Sequence, residues 1–182
     1  MTPTIEFEGS IIAFRLYAEW VYSGSIQKKL LKVKGSGAQE DICFHNIGQA
    51  YILGDKLQDY KFKNAIVDVL LDTIVTHGKM DLTLPTLVFD KCFIHAPLRR
   101  LLVDIYVLYG HKDWLKPSNE ITISAVFLSD LSTAFLARNS RDELSTPDNV
   151  SVLSVYKYHE HPDGKFCLNV KSHPREIIKT KP

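Results

Sequence analysis

Apolar and polar positions along the chain change period several times. Ile5 and Phe7 alternate with Thr4, Glu6 and Glu8, which predicts a very short strand over 4–8. Gly9 breaks it, and Ser10 is placed to cap a helix starting at Ile11. That helix, IIAFRLYAEWVY, is apolar almost all round; Arg15 and Glu19, spaced i,i+4, share the one polar face. Phe14, Ala18 and Val21 are expected to enter the core. Ile12, Leu16, Tyr17, Trp20 and Tyr22 are the candidate protein-contact surface, because so narrow a polar arc leaves apolar area for a second surface to cover. Ser23, Gly24 and Ser25 end the helix. Leu30, Leu31 and Val33 lie among Lys28, Lys29, Lys32 and Lys34, which predicts a short strand over Ile26–Val33, then a loop at Gly35-Ser36-Gly37.

Helical periodicity dominates from there. Asp41 is the expected cap of a helix over 42–57, with Ile47, Ala50, Tyr51, Leu53 and Leu57 on its apolar side. Asp59 is the expected cap of the next, over 60–76. Phe62, Ile66, Val69, Leu70 and Thr73 line its inner side, and Lys61, Lys63, Asn64, Asp68 and Asp72 its solvated side. His77-Gly78 is a basic last turn with a glycine stop. Pro85 opens a short helix through Phe89. Pro97 opens a stronger one, with Leu98, Leu101, Leu102, Ile105 and Tyr109 inside and Arg100 and Asp104 paired outside. Trp114 is expected to tuck back. A final helix over 120–138 carries Ile121, Ser124, Phe127, Leu128, Leu131, Phe135 and Arg138 in phase, with Ala134 beside them. Beyond Asn139 the signal weakens to a modest strand-like stretch over 150–158. The expected fold is therefore mainly α, about five main helices with one or two short strands. Residues 139–182 are expected to be a weakly ordered tail.

Composition narrows the function classes. At 182 residues and 45% hydrophobic the chain is long enough for a sizeable core. With 22 basic and 21 acidic residues the net charge is +1, so no global field draws it to nucleic acid or to an anionic membrane. Residues 151–182 carry six basic and three acidic side chains, net +3. Three cysteines, Cys43, Cys92 and Cys167, predict neither a disulfide framework nor a C-x-x-C site. An intracellular setting is expected, nucleus or cytoplasm, with no leader and no membrane span.

Candidate chemistry is sparse. No phosphate loop, dinucleotide fingerprint, nucleophile elbow or H-E-x-x-H string occurs. His159, His161, Cys167 and His173 offer four donors for zinc, but their spacing of 2, 6 and 6 matches no strong template. Cys43 with His45 and Cys92 with His95 are unsuited in spacing to a thiolate–imidazole pair. Asp68 and Asp72 read as solvated acids on one helix face. The expectation is no catalytic residue, no bound metal and no cofactor. A metal protein or enzyme built on the tail His/Cys cluster is the competing reading.

Several strings taken together resemble one family. Phe14-Arg-Leu-Tyr-Ala-Glu-Trp-Val-Tyr-Ser-Gly24 resembles the F-x-x-Y-x-x-W-L-Y-T-G segment of BTB/POZ domains of the fungal type. Tyr51-Ile-Leu-Gly-Asp-Lys-Leu57 and Phe62-Lys-Asn-Ala-Ile-Val-Asp68 are similar to the helix pair that follows it there. Leu98 to Tyr106, Trp114-Leu115 and Tyr158-His-Glu-His161 resemble later features. The resemblance covers roughly residues 4–116 and corresponds to the C-terminal half of the domain; the N-terminal half, with much of the family's homodimer surface, has no counterpart in this chain. It implies a partial BTB/POZ-like domain over 4–78, a helical extension over 79–138 packed on it, and the tail over 139–182. It also implies a non-enzymatic, adaptor-like protein-interaction module. The expected partner is another protein or a second copy, held through the first helix; cullin ubiquitin ligases enter by family analogy alone. A truncated or degenerate family member without specific binding is the other alternative.

Overall fold

The computed structural model describes residues 9–34, 40–116, 122–139 and 155–161. Within them the chain forms six α-helices, three 3-10 turns and one two-stranded hairpin, so the molecule is mainly α. Helix α1 spans Ile11–Ser23. Ser10 caps it through its hydroxyl, which accepts from the Ala13 N–H, and Gly24 ends it at φ 66°. That left-handed conformation suits glycine because a Cβ would crowd the carbonyl beside it.

A 3-10 turn over Lys28–Leu31 follows, leading into strand β1, Lys32–Lys34. Strand β2, Glu40–Ile42, pairs with β1 antiparallel, Val33 opposite Asp41. The lysine-rich stretch thus holds a turn before its strand, and Asp41 lies in β2 rather than at a helix cap. Helix α2, Phe44–Lys56, begins after Cys43, which offers no side-chain cap. The Cys43 N–H donates to the Leu31 carbonyl at 2.8 Å instead, so the hairpin end sets where the helix starts.

Helix α2 is the hub. Phe44, Ile47, Ala50, Tyr51 and Leu53 are buried, while Leu57, expected inside, is half-exposed past the helix end. Helix α1 packs on α2, α3 (Tyr60–His77) packs beside it after a three-residue connection, and α4 (Thr83–Lys91) covers a further side. Gly48 permits the last contact: a Cβ there would come within 2.8 Å of Leu87 Cδ2 and 3.0 Å of Leu84 Cδ1. Asp59 caps α3 as its position predicts, accepting from the Phe62 N–H at 3.0 Å, and Gly78 closes it at φ 60°.

Helix α5, Pro97–Tyr109, buries Leu98, Leu101, Leu102 and Ile105, together with Val103 and Tyr106. Trp114, in the 3-10 turn Lys112–Leu115, folds back edge-on against Tyr106 at 5.6 Å. Helix α6, Ala125–Asn139, starts later than its pattern suggests. Ser124 accepts from the Phe127 N–H at 3.4 Å, and among the described residues of its stripe only Phe127 and Leu131 are buried. Leu128 and Phe135 are partly exposed. Phe127 meets both Phe89 of α4 and Tyr106 of α5, at 5.1 and 5.2 Å. One core cluster runs from Ala13 to Tyr158 without a break at residues 78–79.

The last described segment corrects two expectations. Val155–Tyr158 is a 3-10 turn, not a strand, and residues 157–160 are bonded firmly to the body rather than resting weakly on it. The strand expected over 4–8 lies outside the described residues. No described helix is long and apolar enough to cross a membrane.

Candidate functional site

Two places are candidates for a functional site: the faces of α1, and the seat of residues 157–160 on α2, α3 and α5. On α1 the expected faces change places. Leu16, a candidate contact residue, is completely buried with Ala13. Tyr17 and Trp20 pack half-buried against Phe62 of α3, Tyr17 edge-on at 5.0 Å and Trp20 at 6.1 Å. The Tyr17 hydroxyl donates to Asp59, the residue that caps α3. Ile12 is half-buried as well. Of the five candidates Tyr22 alone is open, at 92% exposure. Of the three residues expected inside, Ala18 is half-buried but two turn outward: Phe14 is half-exposed and Val21 61% exposed, next to Ile11 at 75%.

The physical reason is that a helix apolar on every side has no phase of its own. Its orientation follows the largest gain, which is burial of Leu16 together with aromatic contacts of Tyr17 and Trp20 on Phe62. Arg15 is exposed, but Glu19 is partly covered, so the charged pair did not mark the centre of the solvated face.

The second place was not foreseen. Lys63, assigned to the polar side of α3, is 5% exposed. Its Nζ donates to Asp55 Oδ1 and to Glu160 Oε2, each at 2.6 Å, and lies 5.2 Å from the centre of the Tyr51 ring. The Tyr51 hydroxyl donates to the other Glu160 oxygen at 2.9 Å. Asn64 holds the Glu160 backbone in both directions: its amide nitrogen donates to the Glu160 carbonyl at 2.9 Å, and its amide oxygen accepts from the Glu160 N–H at 2.8 Å. Glu160 therefore has every polar group engaged, which is what a carboxylate drawn from water requires.

The neighbouring residues are read too. Tyr158 is fully buried with its hydroxyl donating to Asp104 of α5, and Lys157 pairs with the same carboxylate at 3.2 Å. Asp104 thus serves the segment from 155–161 rather than only its own helix face. His159 Nε2 lies 3.1 Å from Asp68 Oδ1. Electrostatics follow the packing. Burial, reinforced by the Glu160 charge, raises the Tyr51 pKa, and burial with the bond to Asp104 raises that of Tyr158. Burial lowers the affinity of Lys63 for its proton, but the bonds and charges of Asp55 and Glu160 outweigh it, and the net shift is upward. Cys92, at the end of α4, is pushed up to about 12 by burial and by the Asp55 charge.

A signal for this seat exists in the sequence. Lys63, Val67, Leu70 and Ile74 follow a helical row that is otherwise apolar. A lysine in such a row needs buried acceptors, though nothing local says that one of them is 97 residues away.

Among the described residues the other candidates do not assemble. Cys92 is buried while His95 is exposed, and Cys43 is half-buried while exposed His45 contacts Gln49 at 3.2 Å. Asp72 pairs with Lys28 of the basic stretch. His159 and His161 stand 6.3 Å apart, ring to ring; Cys167 and His173 lie outside the described residues. Among the described residues no three His, Cys, Asp or Glu side chains are grouped to hold a metal ion. Comparison of the chain with protein-family models, with curated proteins and with solved structures finds no match.

Proposed function

We propose that the chain is a non-enzymatic protein–protein interaction module, built on the helical second half of a BTB/POZ-type domain. The observation that carries the binding role is the outward face of α1, where Ile11, Val21 and Tyr22 stand exposed on a helix whose opposite face is already committed to the core. Large apolar side chains grouped on one exposed face are the usual mark of a surface meant for another protein. Partner contact through the first helix is thus kept as a proposal, moved from Leu16, Tyr17 and Trp20 to the face that water reaches.

The family part rests on the strings that carry the resemblance. Phe14–Gly24 forms α1 with Gly24 at its left-handed end; Tyr51–Leu57 closes α2; Phe62–Asp68 lies in the first half of α3; Leu98–Tyr106 lies in α5.

The test compares wild type with the double variant Val21→Glu/Tyr22→Glu in quantitative co-purification from the native source, with solution mass measured alongside. Both positions are exposed, so the variant is expected to melt like wild type and to lose the proteins, or the self-association, that wild type retains. A variant that keeps the same companions in the same amounts would remove α1 from the binding role.

A further inference from the structure

Residues 157–160 are held in the manner of a bound peptide. Here a body side chain reads the backbone itself, the Asn64 amide pairing with both the N–H and the carbonyl of Glu160. Two alternate side chains then enter separate polar seats. Tyr158 reaches Asp104 of α5, and Glu160 reaches Lys63 of α3 and Tyr51 of α2. Main-chain bonds that give affinity, with separate seats for side chains that give specificity, are the elements of peptide recognition elsewhere. Lys63 also sits in an otherwise apolar row, and Asp55 accounts for only one of its two acceptors. The second acceptor has to come from whatever lies in the groove.

We propose that the groove formed by α2, α3 and α5 is a recognition site for a Tyr-His-Glu peptide segment, filled in this chain by its own residues 158–160. The seat also sets a specificity. The tyrosine must be unmodified, because its hydroxyl donates to a carboxylate, and a phosphate there would face Asp104 with like charge. The glutamate carboxylate matches Lys63, and the residue between the two anchors is held as well, the His159 side chain being 9% exposed with its Nε2 3.1 Å from Asp68 Oδ1. The segment acts as a ligand in cis. A Tyr-His-Glu stretch on another protein competes with it, at a disadvantage set by the high local concentration of the tethered copy. This inference depends on neither the family reading nor the face of α1.

The experiment uses the full chain carrying Tyr158→Ala and Glu160→Ala, which unseats the internal segment, and a fluorescein-labelled peptide of residues 154–162. Anisotropy is expected to show saturable one-to-one binding to the variant and binding roughly a hundredfold or more weaker to wild type, where the tethered segment competes. Adding Asn64→Ala to the variant is expected to abolish binding, and phosphorylating the peptide at the position of Tyr158, with Tyr156 left unmodified, to weaken it by roughly tenfold or more. The peptide is also expected to raise the variant's melting temperature toward that of wild type. A helical variant that binds no peptide, or binds it equally with Asn64→Ala, would overturn the proposal. So would a variant that has lost its helical signal and does not regain it at saturating peptide, since the segment would then be core and not ligand.

Discussion

Lys63 shows how one side chain can determine what its neighbours do. An ammonium withdrawn from water needs acceptors on every side, and two carboxylates and an aromatic face provide them. Lys63→Met removes the cation and leaves Asp55 and Glu160 facing each other. Because both carboxylates keep some solvent contact, the expected loss is about 2–4 kcal/mol, at the lower side of the range for a broken buried pair. Urea denaturation measures it, and a loss below about 0.5 kcal/mol would mean that water replaces the pair. Adding Glu160→Gln to Lys63→Met should cost less than the two separate effects summed, since they share a network.

The same groups set a pH dependence. Cys92, Tyr51, Tyr158 and Lys63 all have native pKa values raised above their ordinary values of 9.0, 10.0, 10.0 and 10.5. Each holds its proton more tightly folded than unfolded, so its contribution is complete below the ordinary value and is lost as pH climbs through the folded one. Unfolding free energy is therefore expected to decline from about pH 9 upward, with the Cys92 part of the loss falling between 9 and about 12. Urea midpoints at pH 8, 9.5 and 11 check this; a flat profile contradicts the burial of these groups. Cys92→Ala should remove the earliest part of the decline.

At the scale of elements, α1 is decided by partners and not by its own pattern. Leu16→Ala is expected to cost about 2–5 kcal/mol, and Tyr17→Glu to cost more by placing a charge against Phe62 and Asp59. Val21→Glu on the same helix should stay within about 0.5 kcal/mol. Chemical denaturation of the three variants tests the phase of the helix directly, and a large loss at Val21 with none at Leu16 would reverse it. The contact of α2 with α4 makes a second test. Gly48→Ala asks Leu84 and Leu87 to move aside, at about 1–3 kcal/mol, although alanine favours a helix in isolation. A stabilised Gly48→Ala variant would mean that the two helices stand farther apart.

For the whole molecule, the question is whether residues 4–78 and 79–138 act as two bodies. The core passes between them through the α2–α4 contact and through Tyr158, which is buried where the last segment meets α3 and α5. Unfolding should then be a single event. The two tryptophans report on opposite parts, Trp20 beside Phe62 and Trp114 beside Tyr106. In Trp20→Phe and Trp114→Phe variants the remaining fluorophore is expected to follow the same urea transition as the helical signal. Transitions that separate would divide the chain near residue 78.

Much of the local structure was legible without coordinates. Ser10 and Asp59 as caps, Gly24 and Gly78 as left-handed stops, Pro97 as a helix start and the inner rows of α3 and α5 are short-range choices. They are made by hydrogen bonds and sterics within a few residues, so the sequence by itself determined them, and with them the mainly helical class. What tertiary structure decided is of another kind. The start of α2 moved from Asp41 to Cys43 because the hairpin takes Asp41 and its end supplies the Leu31 carbonyl. Helix α1 presents Leu16 and not Phe14 to the core because Phe62 waits on α3. Lys63 is buried because Glu160 arrives from 97 residues away. In each case the competing local states lie close in energy, and contacts between residues distant in sequence select among them.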